Sequence, residues 1–133
     1  MIEDAIRHFF AGRADVDVVV LFGSTAAGRD RKGSDVDLYI RLRPEARWSI
    51  GDRLDRAAAL TSLLRREVDL VVEDGSTSVI LRREVANRGR PLYEARPGAW
   101  TELRAAASLA YADLEPYLRR IGEAVRARAR AHG

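Results

Sequence analysis

The pattern of apolar and polar positions divides the first third of the chain into one helix and two strands. Residues 2 to 11 place their apolar side chains at helical spacing, which predicts a short amphipathic helix. Residues 16 to 22 are rich in β-branched side chains and stop at Gly23, which indicates a buried strand that ends in a tight turn. Residues 35 to 42 carry apolar side chains at every even position, so we predict a second, half-buried strand.

The rest of the chain continues as alternating helices and strands. Residues 50 to 66 predict a core-facing helix, residues 67 to 74 a third strand, and residues 78 to 88 a helix capped by Thr77 or Ser76. The stripe that we expect to face the core in the first of these helices consists of Ile50, Leu54, Ala57, Ala58 and Leu64.

The C-terminal part of the chain is helical in pattern. After a turn at Pro91 and a break at Pro97, residues 98 to 131 carry apolar side chains at helical spacing. Proline lacks the backbone N–H that a helix interior requires, so Pro116 is expected to kink this segment or to divide it into two helices. The predicted fold class is α/β (α+β): a small mixed sheet flanked by helices, with a C-terminal helical segment.

Length and composition indicate one globular domain. The 133 residues, 47% hydrophobic and 32% charged, suit a single core at about residues 1–95 with a helical extension at about residues 98–131. The longest apolar run, residues 18 to 22, is far shorter than the roughly 20 residues that a membrane-spanning helix needs. The N-terminus lacks the features of a secretory signal, and the chain has no cysteine. We therefore expect a cytoplasmic protein without membrane association.

The charge pattern does not favour nucleic acid as a partner. The net charge is only +3, and of the 23 basic residues only Lys32 is a lysine. Scattered arginines usually form a solvated surface, so a nucleic-acid-binding module is not expected. His8 and His132 lie near the termini and are expected on the surface, neither as bases nor as metal ligands.

Candidate chemistry is concentrated in a spaced motif. Gly23 and Ser24 are followed by ten residues and then by Asp35 and Asp37. Strand side chains alternate, so the two aspartates point to the same face with α-carbons about 6.6 Å apart. Such a carboxylate pair repels itself unless a cation bridges it, and hard oxygen ligands suit Mg²⁺. Asp69 offers a third carboxylate by the same alternation, which would converge on the pair if the two strands are neighbours.

The same arrangement suits transfer of a nucleotidyl or phosphoryl group. Two metal ions about 3.5–4 Å apart can hold the attacking and leaving oxygens of an in-line displacement, and three carboxylates can hold both ions. Gly23 lets the backbone approach a phosphate, and Ser24 at the start of a helical turn can donate to it. Arg29 and Lys32, with Arg31 between them, could neutralise triphosphate charge. We predict Asp35, Asp37 and Asp69 as catalytic metal ligands.

The two segments that contain these glycine, serine and aspartate residues resemble the sequence signature of a known family. The residues from Gly23 to Arg29, Gly-Ser-Thr-Ala-Ala-Gly-Arg, followed by Gly-Ser-Asp-Val-Asp-Leu from Gly33, resemble the DNA polymerase β-like nucleotidyltransferase superfamily. More narrowly, they are similar to the minimal nucleotidyltransferase (MNT) antitoxins encoded beside HEPN-domain toxins. The resemblance implies that Asp35 and Asp37 hold the metal ions, that Gly23 and Ser24 contact the nucleotide phosphates, and that Asp69 is the third acid.

The resemblance also implies a substrate and a partner. It implies transfer of AMP from ATP to a tyrosine of a HEPN ribonuclease toxin, with Mg²⁺ as cofactor, and with possible homo- or hetero-oligomers. Two alternatives stay open: an antitoxin that blocks its partner by binding alone, and an antibiotic-type nucleotidyltransferase that modifies a small molecule. The short chain leaves little of its own to enclose a small acceptor, which favours a protein acceptor. We expect the partner, or a second copy, on the helical segment that contains Trp100, Tyr111 and Tyr117.

Two residues near the acids receive simpler predictions. Glu73 is expected to face solvent. Tyr39 shares a strand face with the acids and could either stack on a base or shield the site, a choice that the sequence leaves open.

Overall fold

The computed structural model describes residues 1–23 and 35–132 of the chain. Within these ranges the sheet has four strands and four helices surround it. The strands are β1 (Val16–Phe22), β2 (Val36–Leu42), β3 (Val68–Val72) and β4 (Arg90–Glu94). The helices are α1 (Ile2–Phe10), α2 (Ile50–Leu64), α3 (Val79–Arg88) and α4 (Ala99–His132).

The strands form one mixed sheet in the order β3-β2-β1-β4. Strand β1 is central and antiparallel to both β2 and β4, whereas β2 and β3 run parallel. The carboxyl end of β1 therefore lies beside the amino ends of β2 and β3. This end of the sheet brings together the Gly23 turn and the three aspartates predicted to act.

Both faces of the sheet are covered by helices. Alternate side chains of β1 and β2 enter two separate apolar clusters. One cluster contains Ile6 and Phe10 of α1 and Leu60 of α2, and the other contains Val85 of α3 and Leu103 of α4. The strands are thus buried on both faces, which explains the nearly continuous apolar run of β1. The predicted fold class, a small mixed sheet flanked by helices with a C-terminal helix, is confirmed.

Helix α2 begins at a capping box, in which Ser49 accepts from the Asp52 N–H and the Asp52 carboxylate accepts from the Ser49 N–H. Its predicted core stripe is only partly right. Ala57 and Leu64 do pack on the core, but Ile50 is 73% exposed and Leu54 is 55% exposed. The first turn of α2 extends beyond the apolar cluster, so its side chains line a cavity instead. Ala58 is exposed as well, and Leu60 is the fully buried residue.

Helix α3 is capped by Ser78, whose hydroxyl accepts from the Leu81 N–H, and the predicted caps at Thr77 and Ser76 are wrong. Those two residues bond instead to Asp74 in the preceding turn. This turn uses their hydroxyl and amide groups before the helix begins.

Strand β4 was not predicted, because Pro91 indicated only a turn. It pairs with β1 at the edge of the sheet. Proline is tolerated in an edge strand, where a missing N–H interrupts no ladder on its outer side. Two residues after the end of β4, Arg96 donates to the buried carboxylate of Asp17 in β1 at 3.1 Å.

Helix α4 is continuous from Ala99 to His132 and contains Pro116. Of the two predicted outcomes, the division into two helices is therefore excluded, and the kink at Pro116 stays a prediction. The residues around Pro116 are exposed or half-buried. Water can therefore satisfy the carbonyl that loses its partner there. The buried residues of α4 are Ala99, Leu103 and Ala107, all near its amino end, and the whole helix of 34 residues is about 51 Å long at 1.5 Å per residue. No helix in the described ranges is apolar enough over a sufficient length to cross a membrane.

Candidate active site

The acidic side chains meet where β2 and β3 begin. Asp37 and Asp69 are directly opposite each other in the parallel pairing of these strands, and Asp35 immediately precedes β2. Their apolar neighbours Val36 and Val68 point into the cluster beneath α1 and α2. Alternation therefore turns Asp37 and Asp69 to the other face, where Asp37 is half-buried and Asp69 is exposed. Asp37 and Asp69 therefore lie side by side on one face of two neighbouring strands, as the sequence predicts.

The turn after β1 lies against the same carboxylate. Phe22 is opposite Asp37 in the β1–β2 pairing, and Gly23 follows it with a φ of +77°. A Cβ placed on Gly23 would lie 2.5 Å from the Oδ2 of Asp37, closer than real Cβ contacts occur. Only glycine combines this left-handed backbone with this close approach. The chain therefore needs a glycine here to bring the end of β1 up to the acids.

The three carboxylates interact electrostatically. Burial first, then the charge of Asp69 and then that of Asp35, raise the pKa of the Asp37 carboxyl above its ordinary value of 3.8. A raised pKa means that the ionised form is disfavoured where it stands. A cation among these groups would remove the repulsion, so the electrostatics favour a site for positive charge.

The donor set fits Mg²⁺ as part of a nucleotide complex. Among residues 1–23 and 35–132, no three Asp, Glu, His or Cys side chains form a group that could hold a metal ion by themselves. Mg²⁺ is usually held by one or two carboxylates together with substrate phosphates and water. Asp35, Asp37 and Asp69 supply suitable oxygen atoms at one place, and phosphates would supply the remaining ligands. Their roles as metal ligands stay predictions.

Part of the predicted site falls outside the described residues. Ser24, Arg29 and Lys32 belong to residues 24–34, as do the helical turn predicted at residues 24–28 and the loop after it. Their predicted contacts with phosphate stay predictions.

The positions of Tyr39 and Glu73 are set by how the sheet face beneath α3 and α4 is packed. Tyr39 is fully buried in the cluster beneath α3 and α4, and its hydroxyl donates to the Glu73 carboxylate. Glu73 also pairs with Arg41 at 3.3 Å, and its side chain is only 15% exposed, so the expectation that it faces solvent is wrong. Burial, and next the bond to Glu73, raise the pKa of Tyr39, which keeps its hydroxyl protonated. Tyr39 therefore supports the strands and cannot stack on a base.

The unfavourable charge on the Asp37 carboxylate should lower the free energy of unfolding at neutral pH, and this effect can be tested. The folded protein binds a proton at Asp37 more tightly than the unfolded chain does, so its free energy of unfolding should fall as pH rises above 3.8. We expect Asp37→Asn to remove this penalty and to raise the melting temperature at pH 7 by a few degrees at most, because water screens a half-buried group. At pH 3 the two proteins should melt within about one degree of each other.

The matched control is Asp55→Asn, which changes an exposed carboxylate of α2. Melting should be followed by circular dichroism in a chelating buffer, so that bound cations do not offset the repulsion. A lower melting temperature for Asp37→Asn at pH 7 would contradict the penalty that burial and the neighbouring acids impose on the Asp37 charge.

Comparisons with known proteins agree with this geometry. A family model described as "Polymerase beta, Nucleotidyltransferase" matches residues 4–97. A comparison with curated proteins finds no significant sequence match. Among solved structures, the fold is similar to a chain of a toxin–antitoxin crystal structure with AMP-PNP, with a TM-score of 0.79, 23% identity, and coverage of 95% of this chain and 99% of that chain.

A second similar structure is a tri-AMPylated Shewanella oneidensis HEPN toxin in complex with MNT antitoxin. Its TM-score is 0.73 at 21% identity, over 94% of this chain and 96% of that chain. A third is the toxin–antitoxin MntA–HepT, with a TM-score of 0.72 at 21% identity, over 94% and 97% of the two chains. At these identities the likeness concerns the fold, and it extends over α4 as well as the sheet.

The family model covers the whole sheet together with most of α1 and all of α2 and α3, including the turn at Gly23 and all three aspartates. The sheet order, the acids opposite one another on β2 and β3, and the glycine against Asp37 agree with that match. The chain therefore belongs to the polymerase β nucleotidyltransferase family.

Proposed function

We propose that this protein is a Mg²⁺-dependent adenylyltransferase antitoxin, which transfers AMP from ATP to a tyrosine of a cognate HEPN-domain toxin. The observation that carries the proposal is the meeting of Asp37, Asp69 and Gly23 at one end of the sheet. Family membership supports nucleotidyl transfer. The similar folds that were solved with AMP-PNP and with a tri-AMPylated HEPN toxin support the choice of nucleotide and acceptor.

Each residue has a defined part in the transfer. Asp35, Asp37 and Asp69 would hold Mg²⁺, and the Gly23 backbone leaves room for the triphosphate beside them. When bound, Mg²⁺ would neutralise triphosphate charge and align the attacking and leaving oxygens. The tyrosine hydroxyl oxygen forms a bond to the α-phosphorus of ATP, the bond from that phosphorus to the bridging oxygen breaks, and pyrophosphate leaves. Asp69, the exposed acid, is placed to accept the hydroxyl proton.

Helix α4 supplies the surface for the partner. Its apolar residues at alternating spacings of four and three form what we term the α4 seam: Tyr111, Leu114, Leu118, Ile121 and Val125. The seam continues the stripe of Leu103 and Ala107, which is buried on the sheet. This spacing is typical of helices that pack against another helix. Because HEPN toxins are expected to be all-helical, the seam suits such a partner.

The direct test of this function is label transfer. The purified protein, Mg²⁺, ATP labelled on the α-phosphate and the product of the adjacent reading frame should yield a labelled partner. We expect Asp35→Asn/Asp37→Asn to lower the initial rate at least about a thousandfold, since it removes the charges that hold the cations. Asp55→Asn, at an exposed position on α2, should transfer at the wild-type rate.

Two results would count against the proposal: no labelled partner with the wild-type protein, or equal label with the double Asn variant. Replacing the acceptor tyrosine with phenylalanine in the partner should remove the label. Label that persists after that change would place the AMP on a different residue.

The exposed α4 seam also supports a second function, in which binding alone neutralises the toxin. Three of its apolar side chains, Leu118, Ile121 and Val125, are 37%, 60% and 61% exposed. Burial of these apolar side chains against the toxin could hold the complex together without any transfer of AMP. The double Asn variant distinguishes the two functions, because a binding antitoxin would still protect cells from the toxin.

A further inference from the structure

A cavity of about 750 Å³ opens along the edge strand β3, between that strand and the segment of residues 43–49 that joins β2 to α2. Asp69 lines it, whereas Gly23 and Asp37 do not. In the sheet, Asp37 has the Gly23 turn on its β1 side and Asp69 on its β3 side. The cavity is therefore on the opposite side of the acids from the Gly23 turn.

The geometry of transfer assigns this side of the acids to the acceptor. An in-line displacement places the attacking and leaving oxygens on opposite sides of the phosphorus. The proposed function puts the triphosphate, and so the leaving pyrophosphate, beside Gly23. The attacking hydroxyl then approaches from the side of Asp69. The cavity next to Asp69 is thus open to residues that neighbour the acceptor tyrosine in the toxin.

Three arginines in the cavity wall carry positive charge without carboxylate partners. Arg43, Arg47 and Arg53 line the cavity, and no carboxylate in the described ranges forms an ion pair with any of them. Arg47 is exposed, and both Arg47 and Arg53 donate to backbone carbonyls. The Nε of Arg43 is buried without a hydrogen bond to any described group. The wall therefore suits a ligand that brings its own negative charge.

The acids of the same cavity restrict the size of that ligand. Glu73 is bonded to Tyr39 and Arg41, and Asp74 accepts hydrogen bonds within its own turn. Both acids follow the carboxyl end of β3, whereas Asp69 lies near its amino end. A nucleic-acid strand along the cavity would bring its phosphates past Glu73 and Asp74, where like charges repel. One or two carboxylates at the arginines would avoid this repulsion.

The aromatic part of the wall is held in place by residues outside the cavity. The Nε1 of Trp48 donates to the Asp15 carboxylate at 2.6 Å, and the Arg56 guanidinium lies over the indole, 4.5 Å from the ring centroid. The Arg43 N–H donates to the Asp15 carbonyl at 3.0 Å. The joining segment is therefore fixed near both of its ends, and it presents the indole beside the arginines without needing to rearrange.

The outer edge of β3 favours contact with side chains over the addition of another strand. The Val68 N–H on this edge already donates to Thr61, and the Leu70 carbonyl already accepts from Arg53. A strand added to the edge would need these backbone groups. A segment that crosses the edge and places its side chains in the cavity would leave both bonds intact.

We infer that this cavity recognises acidic side chains next to the acceptor tyrosine of the toxin, and that Arg47 and Arg53 thereby determine which tyrosine is modified; the inference rests on the proposed function. A guanidinium can bond both oxygens of a carboxylate. Trp48 and the 73% exposed Ile50 pack against the apolar part of the same segment. With its neighbours held in this way, the tyrosine hydroxyl stands beside Asp69. Arg47 and Arg53 act on the acceptor and not on ATP.

The first test measures labelling of the toxin in a single turnover while the ATP concentration is varied. We expect Arg47→Glu to slow labelling at least about tenfold, and the ATP concentration for half-maximal rate to stay within about twofold of wild type. Arg47→Lys keeps the charge and should lose less than about threefold. Arg88→Glu, the same reversal at a 77% exposed arginine of α3, should not change the rate. Arg53→Ala should act like Arg47→Glu, with melting temperature as its folding control because Arg53 bonds to Leu70.

Charge exchange then identifies the group that Arg47 contacts. Each Asp and Glu of the toxin within about four residues of the acceptor tyrosine, or about 13 Å of extended chain, is changed to Arg. At least one of these changes should slow labelling by the wild-type protein about tenfold, and the same toxin should be labelled faster by Arg47→Glu than by wild type. Coupling below about twofold for every one of these positions would overturn the inference.

A binding measurement separates recognition from transfer, with the fluorescence of Trp48 as its readout. The peptide acetyl-Glu-Ala-Tyr-Ala-Glu-amide should bind the wild-type protein at least about tenfold more tightly than its Gln counterpart, and Arg47→Glu should remove this preference. Equal affinity for the two peptides would overturn the inference, as would an equal loss of affinity for ATP in Arg47→Glu. Single-stranded RNA that displaced the acidic peptide would place nucleic acid in the cavity instead. A preference for the acidic peptide without any labelling of the toxin would support the inference and contradict the proposed function.

Discussion

Gly23→Ala is expected to lower the rate of AMP transfer at least about a hundredfold, because a shift of about 1 Å in a reacting group can cost that much. The new Cβ would lie 2.5 Å from the Oδ2 of Asp37 and 3.4 Å from its Cγ. Either the carboxylate or the turn must move. Both belong to the proposed site, so either movement disturbs the position of the triphosphate relative to the acids.

Gly12→Ala provides a control with the same backbone strain. Gly12 has a φ of +78°, against +77° at Gly23, but nothing lies within 4 Å of the Cβ it would gain. A left-handed alanine costs roughly 1–2 kcal/mol, so Gly12→Ala should lose about that much free energy of unfolding, and Gly23→Ala, which adds the contact with Asp37, should lose at least as much. Only Gly23→Ala should also lose transfer activity, measured as the initial rate of labelling.

Two outcomes would contradict this interpretation of Gly23. If Gly23→Ala kept more than half of the wild-type rate, the close approach to Asp37 would not matter for catalysis. If Gly12→Ala lost as much activity as Gly23→Ala, the effect would come from stability and not from the site.

The acid arrangement could be predicted because it depends mainly on the alternation of side chains along each strand. Val36 and Val68 must enter an apolar cluster, which forces Asp37 and Asp69 to the opposite face. The acids also converge only if β2 and β3 are neighbours, and the parallel pairing of these strands places Asp37 opposite Asp69. The burial of the Asp37 carboxyl, by contrast, depends on how closely the Gly23 turn approaches, which no pattern of residue types specifies.

The same alternation argument left the role of Tyr39 open, and the expectation that Glu73 faces solvent was wrong. Alternation showed that Tyr39 shares a face with the acids, but it could not show that α3 and α4 cover most of that face. The cover ends before Asp37 and Asp69, which keep access to solvent, whereas Tyr39 is fully buried. Which part of a face remains open is decided by helices far along the chain, so local sequence does not reveal it.

The missed strand and the undivided helix have a common physical cause. Pro91 and Pro116 both lack a donor, and both were taken to interrupt regular structure. In β4 the proline stands in an edge strand, and in α4 it stands where neighbouring side chains are exposed or half-buried. In each place water can bond to the backbone carbonyl that would otherwise accept from the missing N–H, so the proline destabilises the strand or helix only slightly.

The α4 seam should decide whether the protein holds its partner. We expect Leu118→Asp/Ile121→Asp to weaken association with the HEPN toxin at least about a hundredfold, since two carboxylates would be buried at the centre of an apolar contact. Both side chains are exposed in the isolated chain, at 37% and 60%. The melting temperature of the variant alone should therefore stay close to that of wild type.

The chain offers a matched control in Leu109→Asp. Leu109 is 71% exposed on the same helix, but at 100° per residue it lies about 180° around the axis from Leu118 and about 120° from Ile121. The same change there should alter the dissociation constant by less than about twofold in calorimetry. Equal weakening by both variants would mean that added negative charge, and not the seam, governs association. Unchanged binding by the double variant would place the toxin on another surface, and transfer to the toxin would then have to be explained without α4.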